Sequence, residues 1–140
     1  GTSANAPASD LDGVARPLDG NANGVAAFDM GAFEFAHALA DTDGDTSRDA
    51  AEVIAGTNPT DPGSVLRLNF QLLSAENRFA LRWPSVLGRT YTIESAPALS
   101  PTGDWQTAVS NLAGSGLLKE WQEPVTGNTA RFYRLRVIKD

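Results

Sequence analysis

Arg78-Phe79-Ala80-Leu81-Arg82-Trp83, followed across Pro84-Ser85-Val86-Leu87-Gly88 by Arg89-Thr90-Tyr91-Thr92-Ile93-Glu94, decides the fold class of this chain. Large apolar side chains occupy alternate positions, Phe79, Leu81 and Trp83 in the first run and Tyr91 and Ile93 in the second. Successive side chains of a strand point to opposite faces, so each run makes a strand with one buried face and one wet face. Outward from this pair the same period holds in Leu66, Leu68, Phe70 and Leu72, and in Tyr133, Leu135 and Val137. Weaker runs lie at 105–109 and 117–123. Turn signals separate them at Glu76-Asn77, Leu87-Gly88, Thr102-Gly103-Asp104 and Thr126-Gly127-Asn128. Short, evenly spaced strands of this kind predict an antiparallel β-sandwich over residues 64–140.

N-terminal to the strands the composition changes. Residues 1–64 carry nine Asp, two Glu and two Arg, a net charge of −9, whereas residues 65–140 carry six acids against nine bases, a net of +3. Residues 1–24 are rich in Gly, Asn, Asp, Ala and Pro without either period, and read as turns and extended chain. From Val25 to Phe35, Phe28, Met30, Phe33 and Phe35 interleave with Asp29 and Glu34 around Gly31, which predicts one or two short strands with a bulge. Ala50, Ala51, Val53, Ile54 and Ala55 predict a short helix that starts near Ser47 and stops at Gly56, with Pro59 and Pro62 preventing its resumption. The expected organisation is an N-terminal segment over 1–40, a loop and helix over 41–63, and the sandwich over 64–140.

The loop carries the chemistry. Asp41-Thr42-Asp43-Gly44-Asp45-Thr46-Ser47-Arg48-Asp49-Ala50-Ala51-Glu52 sets acids at positions 1, 3, 5, 9 and 12 of a twelve-residue frame. Carboxylates this crowded repel one another unless a cation sits among them, and calcium, which accepts six to eight oxygens in flexible geometry, suits the spacing. The expected direct ligands are Asp41, Asp43, Asp45 and Glu52. The Ser47 carbonyl is expected at position 7, and Asp49 binds directly or through water. Position 6 departs from the EF-hand pattern, because Thr46 stands where a glycine allows the sharp turn. The alternative is a solvated acidic turn in front of a helix. A second candidate is Asp19-Gly20-Asn21-Ala22-Asn23-Gly24, with Asp19, Asn21, Asn23, Val25 and Asp29 as possible ligands. Its alternative is a set of Asx-turns held by local side-chain bonds.

The Asp-x-Asp-Gly-Asp loop, the Ala51-Glu52-Val53-Ile54-Ala55 helix and the Gly56-Thr57-Asn58-Pro59-Thr60-Asp61-Pro62 tail resemble the thrombospondin type 3-like or dockerin-like calcium repeats of bacterial secreted proteins. That resemblance implies a structural calcium ion and an extracellular location, with Asn58 and Asp61 available to a neighbouring site. Arg16-Pro17-Leu18-Asp19-Gly20 and Asp29-Met30-Gly31-Ala32-Phe33-Glu34 resemble the motif that follows β-helices in choice-of-anchor surface proteins, which implies a larger β-helix passenger. Trp83-Pro84-Ser85, Gly88-Arg89-Thr90-Tyr91 and Arg131-Phe132-Tyr133-Arg134-Leu135-Arg136-Val137 resemble the immunoglobulin-like or fibronectin type III-like modules of such proteins.

Composition narrows the remaining classes. With no Cys and one His in 140 residues, disulfides, thiol chemistry and Cys-ligated metals are excluded, and a His-based metal site is not expected. A pI near 4.6 argues against nucleic acid and anionic membranes as partners. No run approaches the about 20 apolar residues of a membrane span. His37 lacks a companion for acid–base work, and Glu120 and Glu123 project from opposite faces of one strand, so no enzyme is expected. Trp105 and Trp121 are open to two readings, packing at a sheet edge or stacking on a glycan. Arg67, Arg78, Arg82, Arg134 and Arg136 are expected on wet faces. The leading expectation is a non-enzymatic, calcium-stabilised structural module of a secreted or cell-surface protein. The alternatives are a fibre or surface-layer subunit that adds residues 1–18 of a neighbouring copy as a strand, and a glycan-binding module.

Overall fold

The computed structural model describes residues 4–99, 104–126 and 130–140. The turns expected at 102–104 and 126–128 lie partly outside them. The chain divides into two compact units, residues 1–66 and 67–140.

The described residues of the second unit form six strands in two antiparallel sheets. Strands β1 (Asn69–Leu73), β2 (Arg78–Pro84) and β5 (Leu118–Pro124) form one sheet in the order β1-β2-β5. Strands β3 (Arg89–Ala96), β4 (Gln106–Ala113) and β6 (Phe132–Lys139) form the other in the order β4-β3-β6. All six expected strands are present. The alternation places Phe79, Leu81 and Trp83 of β2 and Tyr91 and Ile93 of β3 in the core, with Trp83, Tyr91 and Ile93 fully buried. Aromatic contacts join the sheets: Trp83 lies 6.0 Å from Tyr91 and Phe79 lies 5.3 Å from Tyr133, between ring centroids. Both separations fall in the range where tilted aromatic pairs attract beyond their buried area.

The arginines take the opposite faces. Arg82 pairs with Glu120 across the β2–β5 ladder, Arg78 Nε donates to the Gln122 side chain at 3.2 Å, and Arg134 Nε donates to Glu94 at 2.7 Å. Such exposed cross-strand pairs help fix register and contribute little to stability.

The first unit is built differently. Helix α1 (Asp49–Ala55) ends at Gly56 with φ of 81°, where the Gly56 N–H donates to the Glu52 carbonyl. This matches the expected stop. The strands expected between Val25 and Phe35 do not form; β-structure among the described residues of this unit is limited to the bridges Ser9↔Ala15 and Leu18↔Ala27. Met30 is 97% exposed, and Phe33 and Phe35 are also exposed. Side chains replace the missing ladder. Arg16 donates to the carbonyls of Asp29 and Gly31, Asp29 accepts from the Phe35 N–H, and Asp10 accepts from the N–H groups of Asp12, Val14 and Glu34. Backbone groups satisfied in this way have no need of a strand partner. Residues 9–18 are folded into the same network, and Leu18 is fully buried.

Buried apolar side chains are scarce among the described residues here: Leu18, Ala40, Ala55 and Pro59. A segment of this size with so small a core gains little from apolar burial and depends on polar or metal cross-links.

Candidate metal centre

The loop and helix are tied into the first unit at both ends. The Asp49 N–H donates to the Ala40 carbonyl at 3.0 Å, and the Asp19 N–H donates to Thr42 Oγ1 at 3.2 Å. Between these anchors Asp41, Asp43 and Asp45 each present a carboxylate oxygen, all within 4.8 Å of one another. A cation that bonds oxygen at about 2.4 Å reaches atoms up to about 4.8 Å apart from a central point.

The loop's own amides hold this arrangement. Asp41 accepts from the N–H groups of Gly44 and Thr46, Asp43 Oδ1 from Asp45, and Asp45 Oδ1 from Ser47 at 2.6 Å. Asp41 uses both its oxygens to fold the loop, whereas Asp43 and Asp45 use one each. Asp43 Oδ2 and Asp45 Oδ2 are buried and make no hydrogen bond.

Glu52, on the helix, lies outside the group of three carboxylates that come within 4.8 Å of one another, but feels the charges of Asp43 and Asp45. It is only 2% exposed, its Oε1 accepts from Thr57 Oγ1 at 3.1 Å, and its Oε2 has no hydrogen-bond partner. Burial, with the nearby charges of Asp43, Asp45 and Asp49, pushes its pKa from 4.5 up to about 7. Burial likewise raises Asp43, helped by Asp45, Asp41 and Asp49. A buried carboxylate with no donor on one oxygen and three acids around it is costly without a counter-charge. The arginines of this unit do not supply one: Arg16 pairs with Glu34 at 2.6 Å, and Arg48 donates to the Leu39 carbonyl.

Asp49 has a different position from the other acids. It is fully buried, and both its oxygens accept from Thr42, from the N–H at 2.8 Å and from Oγ1 at 2.7 Å. It ties the start of the helix to the start of the loop. Asn58 and Asp61 are engaged in turns of their own, accepting from Thr60 and Gly63 respectively.

The loop resolves its irregular sixth position by strain. Thr46 takes φ of 80°, as Gly44 does at 78°. A β-branched residue held there costs about 1–3 kcal/mol, whereas glycine adopts it freely. Thr46→Gly is therefore expected to raise the melting temperature of the first unit by a few degrees. Thermal unfolding with and without metal, followed by amide signals of residues 41–55, checks it.

The second candidate loop is closed by local bonds. Asp19 accepts from the N–H groups of Asn21, Asn23 and Gly24, Asn21 accepts from Asn23, and Asn23 accepts from Val25. Burial acts to raise the Asp19 pKa, but these amides outweigh it and hold it below the ordinary carboxylate value. Asp29 faces Phe35, and among the described residues Asp19 joins no cluster of three carboxylates.

The two tryptophans are engaged separately. Trp121 packs on Phe79 and Tyr133, with centroids 6.4 and 6.3 Å away. The Arg134 guanidinium covers Trp105 at 4.3 Å. No helix among the described residues is long and apolar enough to cross a membrane.

No protein-family description, curated protein or solved structure matches this chain.

Proposed function

We propose that this chain is a non-enzymatic, calcium-stabilised structural module of a secreted or cell-surface protein. The observation that carries the reading is the pair of buried oxygens without a hydrogen-bond partner, Asp43 Oδ2 and Asp45 Oδ2, in a cluster with Asp41 whose carboxylate oxygens lie within 4.8 Å of one another. Four acids favour calcium over magnesium, which keeps most of its waters and takes one or two carboxylates. Asp41, Asp43, Asp45 and Glu52 are the direct ligands in this reading, with the Ser47 carbonyl between them. Asp49 positions Thr42 and the loop. The likeness of residues 41–62 to thrombospondin type 3-like and dockerin-like repeats supports the assignment, as does the small apolar core of the first unit. The strand orders β1-β2-β5 and β4-β3-β6 support an immunoglobulin-like or fibronectin type III-like second unit.

The function of the ion is mechanical. Ligands from loop and helix come together only in the folded unit, so binding energy becomes folding energy. A free calcium level a hundredfold above Kd adds about 2.7 kcal/mol to the stability of that unit. Extracellular fluid supplies such levels to a loop whose affinity is weakened at position 6.

Titration calorimetry with calcium chloride tests the assignment. One ion is expected to bind in the micromolar to millimolar range, magnesium to bind far more weakly, and Asp43→Asn with Asp45→Asn to abolish the heat. Absence of calcium uptake at millimolar concentration by the folded wild-type chain overturns it.

A further inference from the structure

We propose that the free edge of β6 accepts a seventh strand from another molecule, an extended segment in which apolar residues alternate with Asp or Glu. This concerns the second unit and stands apart from the calcium reading.

Two independent features converge on this edge. β6 pairs with β3 through eight successive residues, Arg89↔Lys139 to Ala96↔Phe132, without a register shift, and its other edge has no strand partner among the described residues. The remaining edges are poorer templates. β4 is interrupted by register shifts against β3 and by Asn111 at φ of 58°, β1 has five residues, and β5 ends at Pro124. Bulges, short length and proline are the devices that discourage strand addition, and β6 lacks them.

The second feature is the uncovered inner face of β1. Phe70 and Leu72 stand opposite Leu81 and Phe79 in the ladder, on the face that is core in β2, yet they are 64% and 58% exposed. A cavity of about 270 Å³ runs from these two side chains past Phe79 to Tyr133 at the start of β6. A strand laid along β6 would set its inward side chains over this trough. Apolar residues there would cover Phe70 and Leu72, while the backbone satisfies the open N–H and C=O groups of β6.

The outward side chains are specified by charge. Arg134 and Arg136 lie on the wet face of β6 and share a single carboxylate, Glu94, at 2.7 and 3.7 Å. One positive charge is left over along the edge, within a unit that is itself net positive. The same pattern disfavours a second copy of β6 as the partner. An antiparallel pair centred on Leu135 would set Arg134 against Arg136, and like charges directly opposite destabilise a ladder.

The test uses the full chain in calcium and a synthetic peptide of the length of β6 that alternates Val with Glu. Binding is expected to protect β6 amides from hydrogen exchange. Replacing Glu by Lys in the peptide, or Leu72→Thr or Arg136→Gln in the protein, is expected to weaken binding about tenfold or more, a cost of about 1.4 kcal/mol. Leu72 and Arg136 are exposed, so both variants keep the fold, which tryptophan emission verifies. Lack of binding, equal binding of the Lys peptide, or protection away from β6 overturns the proposal. Concentration-dependent self-association that protects β6 without peptide also overturns it, in favour of a second copy.

Discussion

Gly114→Ala is expected to unfold the second unit or to cost it at least about 3 kcal/mol, one of the largest effects available to a single methyl group. A Cβ at Gly114 would sit 1.8 Å from the Val86 carbonyl oxygen, 2.7 Å from the Val86 carbonyl carbon and 3.1 Å from the Arg89 oxygen. All three are backbone atoms, so no rotamer change relieves the clash. The backbone it meets is held from several sides. The Gly114 N–H donates to the Arg89 carbonyl at 2.7 Å, and the Val86 N–H donates to the Tyr91 hydroxyl at 2.9 Å. Ser85, buried next to them, donates from Oγ to the Leu117 carbonyl at 2.7 Å and accepts from the Ser115 N–H. Moving Val86 away from a new methyl would break this set, and Tyr91 is fully buried in the core it closes. The measurement is straightforward because Trp83, Trp105 and Trp121, the three tryptophans of the chain, all lie in the second unit. Urea unfolding followed by tryptophan emission therefore reports this unit alone. A midpoint within about 1 kcal/mol of the wild type would show that the crossing at Val86 is looser than its geometry indicates.

Gly114 also marks where sequence reasoning stops. In the sequence it is one glycine of a Gly-Ser-Gly turn, and nothing in its neighbours reveals that two backbone segments cross at contact distance. The strands themselves are legible because each is half-buried and the period of 2 is written in residue type, most plainly in β2 and β3. β5 is harder: its inward positions, Lys119, Trp121 and Glu123, spell no apolar face, so the role of Trp121 could not be read before Phe79 and Tyr133 were found against it. The segment from Val25 to Phe35 misleads in the opposite sense. Its alternation resembles a ribbon, but Asp29, Glu34 and Arg16 take up the backbone groups that a partner strand would need. The clustering of Asp41, Asp43 and Asp45 is legible because their spacing depends on local chain geometry alone. What spacing did not reveal is that Thr42 engages both oxygens of Asp49.

With calcium chelated, the first unit is expected to lose stability as pH rises from about 5 to about 8, and with calcium present this trend is expected to reverse. Glu52 sets the sign. Its pKa in the folded, metal-free unit is raised from 4.5 to about 7, first by burial and then by the charges of Asp43, Asp45 and Asp49. The folded state thus binds more protons than the unfolded chain between these two values. Its contribution is fully present below about 4.5 and is lost as pH rises through about 7. A shift of this size corresponds to about 3 kcal/mol at most, and Asp43, raised for the same reasons, acts in the same direction. Calcium requires the deprotonated ligands and competes with the proton, so its stabilisation grows over the same interval. Glu52→Gln separates the two contributions. It keeps the shape and removes the charge, so the chelated variant is expected to be more stable than the chelated wild type at pH 8, with a flatter pH profile. The same variant is expected to lose most of the calcium-induced gain. Hydrogen exchange of the α1 amides is the appropriate readout, since the first unit contains no Trp or Tyr. A chelated wild-type unit whose protection is constant from pH 5 to 8, or a Glu52→Gln variant that gains as much from calcium as the wild type, would remove Glu52 from the site. On the proposed calcium reading, the reversal of slope follows from one buried carboxylate that is the proton's site without metal and the ion's ligand with it.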